Sequence, residues 1–493
     1  MNRILRNFDY FDAISAENFL RSIKQASSLL DFDLLDERQH ESLAETLASQ
    51  FRFLTVSISY TKAKRYGFDL SHYNENEIKT RVRDMRFWKS QIRKRSKELL
   101  SELERCIGLV SNRRAKYCGD LTYGRFRESE QKSNEFLERH FIQSLDGERV
   151  SLKEISEHNT TNKQILFYEW ITRVKGFDEL AERYGHASMM VTLTCPAYMH
   201  ATHSRSGSLN QKYDGQTVRE CQRHLNTVWR RVRAKLKRDN VNIYGMRVVE
   251  PHHDGTPHWH LIVHCEKPEL KQVKRIIKHY ALQESPNERG ALERRVDFID
   301  IDRAKGSSAS YLAKYLAKNM IGLDTEGEGC RRVSRHATDC ARAWASAHSI
   351  RQFQQFGGAS VTVYRELRRL RDETLDPLIE PARLAADASN WATYCEAVGG
   401  VSVSSRTQTI KPYYEQSESF NRSTGEIIEA GQSDNVNRYG EPKSKVVKGL
   451  AYAGKVRKTR TKLWTIIASP PQSDASPPFR AACRGNGGHL GLV

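Results

Sequence analysis

An α+β fold is predicted for this chain: an antiparallel sheet with the element order β-α-β-β-α-β, a ferredoxin-like arrangement, flanked by mainly helical N- and C-terminal regions. Three observations predict it. Up to about Gly185, apolar residues recur at three- and four-residue spacing, as in Phe19, Ile23, Leu29 and Leu30 and again in Leu99, Leu100, Leu103 and Ile107. Around His186 the period shortens to that of extended chain. Beyond it, four short apolar stretches alternate with two amphipathic helical stretches and one turn-rich segment, and this order is the ferredoxin-like one.

The elements follow in order. A strand over 187–195 ends at Pro196, and a helix runs over 217–238. The strand at 242–250 enters the turn His252-His253-Asp254-Gly255-Thr256-Pro257 and returns over 258–265, so the pair is a hairpin. Pro268 opens a helix to about Leu282, and 296–301 form the fourth strand. A further helix covers 307–320, with Gly306-Ser307-Ser308 as its cap. This arrangement puts both crossover helices on one sheet face and leaves the other free to carry a site. The resulting division is 1–185, helical, with a candidate DNA-contact face; 186–322, the central unit; 323–400, helical and basic; and 401–493, a largely flexible tail in which the Ser- and Pro-rich stretch 469–478 reads as disordered.

Charge narrows the function. The chain has 493 residues, and Lys plus Arg 79 against Asp plus Glu 60 gives +19, with a pI near 9.5, so a polyanionic partner is expected. Mean hydropathy is -0.67 and no apolar stretch approaches the roughly 18 residues of a membrane helix, which excludes an integral helical membrane protein. Asp9 and Asp12 interrupt the place of a signal-peptide core, so a cytoplasmic protein is expected. Nine cysteines without repeated spacing read as free thiols. Two basic stretches are candidates for phosphate contact. In the first, Arg81, Arg83, Arg86, Lys89, Arg93, Lys94, Arg95 and Lys97 face the single acid Asp84, and a solvated helix face explains the run equally well. In the second, Arg223, Arg230, Arg231, Arg233, Lys235, Lys237 and Arg238 surround an apolar stripe of Leu225, Val228, Val232 and Leu236; Trp229 is open to base stacking or to packing.

Chemistry concentrates in two places. Residues two apart on a strand share a face, so His258 and His260 stand about 6–7 Å apart at Cα and can grip one metal ion. If the turn is centred on Asp254, Glu250 lies directly across from His258 on that face, completing a carboxylate and two imidazoles that suit Mg²⁺ or Mn²⁺. His264 has the same parity but lies about 13 Å from His260, too far to share the ion. The second place is Tyr311-Leu-Ala-Lys314-Tyr315-Leu-Ala-Lys318, where helical spacing puts both phenols and Lys318 on one face. Tyrosines at that spacing also suit a core; after a metal-binding sheet they suit a nucleophile, which a phenol of pKa about 10 becomes only with a nearby cation. Thr192 and Thr194 alternate on the first strand to one side, Val191 and Leu193 to the other.

These residues resemble a family. A strand ending in Thr-Leu-Thr, then His-hydrophobic-His, then Tyr-x-x-x-Tyr on a following helix is similar to the HUH endonucleases. Pro257-His258-Trp259-His260-Leu261, the stretch from Tyr311 to Asn319, and Arg351-Gln-Phe-Gln-Gln-Phe-Gly-Gly358 resemble the gene A-type replication initiators of tailed temperate phages. The resemblance covers about 187–371. It implies an HUH-type catalytic domain that nicks one strand at a replication origin, stays joined to the 5′ phosphate through tyrosine, and rejoins ends after a round of rolling-circle synthesis. It implies Tyr311 and Tyr315 as nucleophiles, Lys318 as active-site cation, and His258 and His260 as ligands of Mg²⁺ or Mn²⁺; Glu250 as third ligand comes from the hairpin. Arg230, Arg231, Arg233, Lys235, Lys314, Thr192 and Thr194 are expected to contact DNA. The expected partners are single-stranded or locally melted origin DNA and the helicase and polymerase machinery of a bacterial host, in whose cytoplasm it would act, with neither membrane nor nucleotide cofactor. Transposases and mobilisation relaxases share this chemistry, and a non-catalytic origin-binding protein is the reading from another class. The stretch from Gly449 to Lys455 matches seven places of a P-loop, but Val456 stands where Ser or Thr would hold Mg²⁺. Cys330, His336, Cys340 and His348 fit no common zinc spacing.

Overall fold

The computed structural model describes residues 37–468 apart from 305, 322, 325–330, 333–334, 371–375, 404–405, 417–418, 421–426, 429–436, 438 and 440–444. It is mixed α/β with antiparallel sheets. Helices α1 (Glu37–Phe51), α2 (Val56–Arg65), α3 (Glu75–Arg81) and α4 (Met85–Cys106) come first. The first three and the start of α4 close over a core of their own around Phe51, Phe68 and Trp88, whose indole N–H donates to the Val82 carbonyl at 2.7 Å. Then follow α5 (Asp120–Arg139), β1 (His140–Ser144), β2 (Arg149–Ser151), α6 (Leu152–Glu157) and α7 (Lys163–Arg183). The β1–β2 hairpin interrupts the helical stretch expected up to Gly185.

The central unit is β3 (Ala187–Thr194), α8 (Val218–Arg238), β4 (Tyr244–Pro251), β5 (Pro257–Cys265), α9 (Leu270–Ala281), the short α10 (Ala291–Arg294), β6 (Val296–Asp300) and α11 (Ser308–Met320). Local chemistry sets these ends. Thr217 and Glu220 form a reciprocal capping box at the start of α8, and the Ser307 hydroxyl accepts from the Ser310 N–H at the start of α11. Between β4 and β5 the turn is symmetric about Asp254, so Pro251 pairs with Pro257 and Glu250 with His258. After α11 come β7 (Leu323–Asp324), β8 (Arg331–Arg332), α12 (Arg335–Ala347), β9 (Phe353–Phe356), α13 (Val361–Leu367), α14 (Glu380–Asp387) and α15 (Trp391–Ala397).

The central sheet has five strands in the order β6-β3-β5-β4-β9, every neighbour antiparallel. The fifth strand, β9, lies in a region expected to be helical. It is only four residues long, and Gly357 and Gly358 end it with φ of +67° and +69°, where a Cβ would stand 2.6 Å from Tyr244 Cβ and 2.5 Å from the Phe177 ring. That closeness explains the Gly-Gly pair.

One face packs on α8 and α9 through Val191, Leu193, Val249, Trp259, Leu261 and Val263, with Trp229 buried against Phe356, so packing rather than base stacking is what the structure gives Trp229. The opposite face is not left bare. Met190, Met246, Val248 and Ile262 pack there in one core with Leu312 and Leu316 of α11, Phe177 of α7, and residues of α13, α14 and α15.

The stretch expected to be a largely flexible tail contains β10 (Ile410–Gln416), β11 (Ser419–Phe420), β12 (Ile427–Ile428), β13 (Lys445–Tyr452), β14 (Lys455–Lys458) and β15 (Trp464–Ala468). β10, β13 and β14 form one antiparallel sheet, and β15 pairs with β1. The P-loop-like stretch is the β13–β14 hairpin, with Ala453 and Gly454 at positive φ, and among the described residues no helix follows it. The disordered stretch expected at 469–478 lies outside the described residues. Among the described residues no helix is long and apolar enough to cross a membrane.

Candidate active site

Strand parity assembles the site. On β5, His258 and His260 point to the α11 face while Trp259 points away, and the neighbouring strands supply matching residues: Thr194 opposite His258 and Thr192 opposite His260 on β3, Glu250 opposite His258 on β4. Each threonine hydroxyl lies 3.3 Å from the Nδ1 of its histidine. Such a bond fixes the ring and leaves Nε2 as the outward nitrogen, the arrangement metal-binding imidazoles use. The hydroxyls expected to contact DNA are thus engaged with the imidazoles.

Glu250 is 6 % exposed, and its partners converge. Oε2 stands 3.7 Å from His260 Nε2 and 3.8 Å from Lys318 Nζ, while Oε1 accepts from Asn319 Nδ2. Asn319 also donates to the Tyr315 carbonyl at 2.7 Å. The Tyr315 ring stacks on His260 with centroids 3.9 Å apart, and the His258 and His260 rings are 4.5 Å apart. The structure therefore brings together Glu250, His258, His260, Tyr315 and Lys318. Tyr311 is one turn earlier on α11, half-buried against the same core. Lys314 lies on α11 as well, but its side chain is outside the described residues.

The electrostatics suit a cation. Burial, with His252, His200 and Lys318 adding to it, pushes His258 down to about 3, so it stays neutral, the form that binds metal. Burial and the Glu250 charge raise the Tyr315 phenol above its usual value, and Lys318 only partly opposes them. Two donors each about 2.1 Å from one ion stand about 3–4 Å apart, so the Glu250 to His260 separation fits a shared divalent cation.

Further residues come into view only in three dimensions. His200, His252 and Asp254 form a second group whose possible ligand atoms lie within 4.8 Å of one another, and the His252 ring is 5.7 Å from that of His258. Asp254 is, however, the keystone of the turn: its carboxylate accepts from Ala201 N at 2.9 Å, Thr256 N at 3.0 Å and Thr256 Oγ1 at 2.9 Å, and lies 3.3 Å from His200 Nδ1. Arg105 at the end of α4, 1 % exposed, clamps that turn from below, donating to the Asp254 carbonyl at 3.1 Å, to Thr256 Oγ1 at 3.0 Å and to the Gln216 carbonyl at 2.7 Å. Trp344 of α12 donates to the Gly255 carbonyl at 2.8 Å. Asn319 had a sequence signal, since it continues the Tyr311, Tyr315 spacing by four. His200 and Arg105 had none.

Other expected residues do not join the site. Arg230, Arg231, Arg233 and Lys235 sit on α8, across the sheet from α11; Arg231 donates to Gln283 at 3.1 Å and Lys235 pairs with Asp239 at 2.7 Å. Of the weak zinc grouping, Cys330 is outside the described residues, His336 lies 3.5 Å from Cys340, and His348 turns away to Ser101 at 3.0 Å.

Comparison with known proteins gives a single family. The model of the bacteriophage replication gene A protein family matches residues 17–322. The replication protein of Haemophilus phage HP1 is 33% identical over 426 residues, 82% of this chain and 52% of its own length. The replication gene A protein of Escherichia phage 186 is 34% identical over 389 residues, 76% of this chain and 56% of its own. A probable replication endonuclease from a prophage-like region of Salmonella paratyphi A is 31% identical over 336 residues, 64% of this chain and 42% of its own. This chain thus spans about half the length of these relatives. No solved structure matches it.

Proposed function

The chain belongs to the bacteriophage replication gene A protein family, and on that premise we propose that it is a rolling-circle replication initiator of the HUH type, nicking one strand of origin DNA by tyrosine transesterification. The carrying observation is the convergence of Glu250, His260, Lys318 and the stacked Tyr315 on one point of the sheet face. The strand order β6-β3-β5-β4, with α8 and α9 on the far face, supports a ferredoxin-like nicking domain.

In the proposed reaction the phenolic oxygen of Tyr311 or Tyr315 attacks the scissile phosphorus. The P–O3′ bond breaks as the P–Oη bond forms, and the phenolic proton is in effect exchanged for one on the departing 3′ oxygen. The products are a 5′-phosphotyrosine and a 3′-hydroxyl that a polymerase can extend. Because one ester replaces another, the reverse step rejoins ends without an energy source. Glu250, His258 and His260 would hold Mg²⁺ or Mn²⁺, which supplies charge stabilisation at the phosphate's oxygens. Thr192 and Thr194 orient the imidazoles, Asn319 fixes Glu250 and ties it to the helix carrying the phenols, and Lys318 meets the charge that develops on phenol and phosphate. Two phenols one turn apart allow one to hold a 5′ end while the other cleaves the regenerated origin. Unwinding and synthesis are assigned to host helicase and polymerase, and the substrate to single-stranded or locally melted DNA.

The test uses purified protein, labelled single-stranded origin-region DNA and Mg²⁺ or Mn²⁺, resolved on a denaturing gel. An EDTA-sensitive protein–DNA adduct that the Tyr311→Phe/Tyr315→Phe double variant does not form is the expected result. Cleaved DNA with free ends would contradict the transesterification.

A further inference from the structure

The basic half of α4 takes no part in the site above. Arg86, Lys89, Arg93, Lys94 and Lys97 line one wall of a cleft of about 470 Å³, and serine and alanine side chains at the end of α12 complete it. From Arg86 to Lys97 the stripe runs about 16 Å along the helix. A solvated face would be the ordinary explanation, but charges on such a face are usually compensated. Here Glu41 pairs with Lys89 at 3.0 Å, and the carbonyl end of α12 contributes only about half a negative charge. Arg86, Lys94 and Lys97 have no carboxylate partner among the described residues. Burial and the Arg93 guanidinium pull the Lys97 ammonium below its usual value, a cost that a bound anion relieves.

The lining selects the anion. It contains no acid and no aromatic ring. Surfaces for single strands interleave cations with rings on which bases stack, whereas a lining of cations and small hydroxyls suits sequence-independent contact with duplex phosphates. Two rigid helices fix the cleft relative to the site. α12 has Ala337 and Ala341 beside Glu250, Lys318 and Asn319 and, six to ten residues later, Ala347 at the cleft, so the two lie about 9–15 Å apart along it. α4 ends in Arg105, which holds the β4–β5 turn.

We propose that the cleft between α4 and α12 seats backbone phosphates of the duplex flanking the nicked strand, about three to four base pairs from the reacting phosphate at 3.4 Å per pair. The distance rests on the nicking site under Proposed function; the affinity does not.

The test is fluorescence anisotropy in EDTA, with a labelled short duplex carrying an oligo-dT overhang and with oligo-dT alone as probes, over a range of salt. For Arg86→Gln/Lys94→Gln/Lys97→Gln, binding to the duplex-bearing probe is expected to weaken about tenfold or more and its log–log salt slope to fall by about three, while oligo-dT binding stays within about twofold. A urea unfolding midpoint equal to the parent's shows that the triple variant is folded. Unchanged binding of both probes, or equal loss on both, overturns the cleft. A parent that binds the duplex-bearing probe normally but forms no adduct with origin DNA overturns the nicking reading and leaves the cleft standing.

Discussion

The two faces of the central sheet are built from the same strands and do opposite work. Along β5 the residues alternate: Trp259, Leu261 and Val263 enter the core under α8 and α9, while His258 and His260 face α11. Trp259 is wholly buried, with its N–H on Gln222 at 2.9 Å and the Arg247 guanidinium 3.9 Å from its ring. His260, one residue on, is nearly as buried but surrounded by ionisable partners. Burial alone therefore does not distinguish packing from chemistry; the polarity of the opposed residues does. A one-residue register slip would exchange the two faces, so the symmetric turn at Asp254 sets which residues meet α11.

His260→Ala is expected to have the largest effect. Nicking is expected to fall on the order of a thousandfold, the several kcal/mol a metal ligand set contributes, with a urea midpoint close to the parent's; initial nicking rates and a denaturation curve decide it. Trp259→Ala is the converse. It is expected to cost about 3–5 kcal/mol of stability while leaving the rate per folded molecule within a fewfold, and a rate loss as large as that of His260→Ala would erase the distinction between faces. Asn319→Ala sharpens the polar face: freeing Glu250 is expected to weaken Mn²⁺ affinity or nicking about 10–100-fold, read by calorimetry or metal titration of the rate.

The smallest effect is in acid. His264 and His348 are pushed down to about 3 by burial, so the folded state holds them neutral where the unfolded chain protonates near 6.5. Their contribution is present above pH 6.5 and lost progressively as pH falls toward 3, at roughly 1 kcal/mol per pH unit for each. Glu102, pushed up to about 7 by burial, works the other way between 4.5 and 7. The denaturation midpoint is expected to fall below pH 6, and a flat profile down to pH 4 would show these imidazoles to be solvated.

Much of this was legible because it is local. Period-two alternation and a turn symmetric about Asp254 are enough to place Glu250 opposite His258, and helical spacing is enough to align Tyr311, Tyr315 and Lys318. What was illegible is long-range. β9 is four residues, Phe-Gln-Gln-Phe, with no alternation to mark it, and it pairs with β4 a hundred residues earlier. Arg105 ends a helix full of cations and reads like the others, yet its fork finds carbonyls from two loops far along the chain. The basic α8 lies where its place in the strand-helix order puts it, on the sheet face away from α11, so its cations stand apart from the imidazoles.

Peptide mapping of the covalent adduct identifies the residue that carries the DNA. Trypsin cuts after Lys305, Lys314 and Lys318, so Tyr311 and Tyr315 leave in separate peptides, 306–314 and 315–318. After nuclease trimming, mass spectrometry is expected to find the residual nucleotide phosphate on one or both of these and to lose it in EDTA-treated reactions. An adduct on any other peptide, or metal-dependent cleavage with neither peptide modified, would contradict a nicking site on the α11 face.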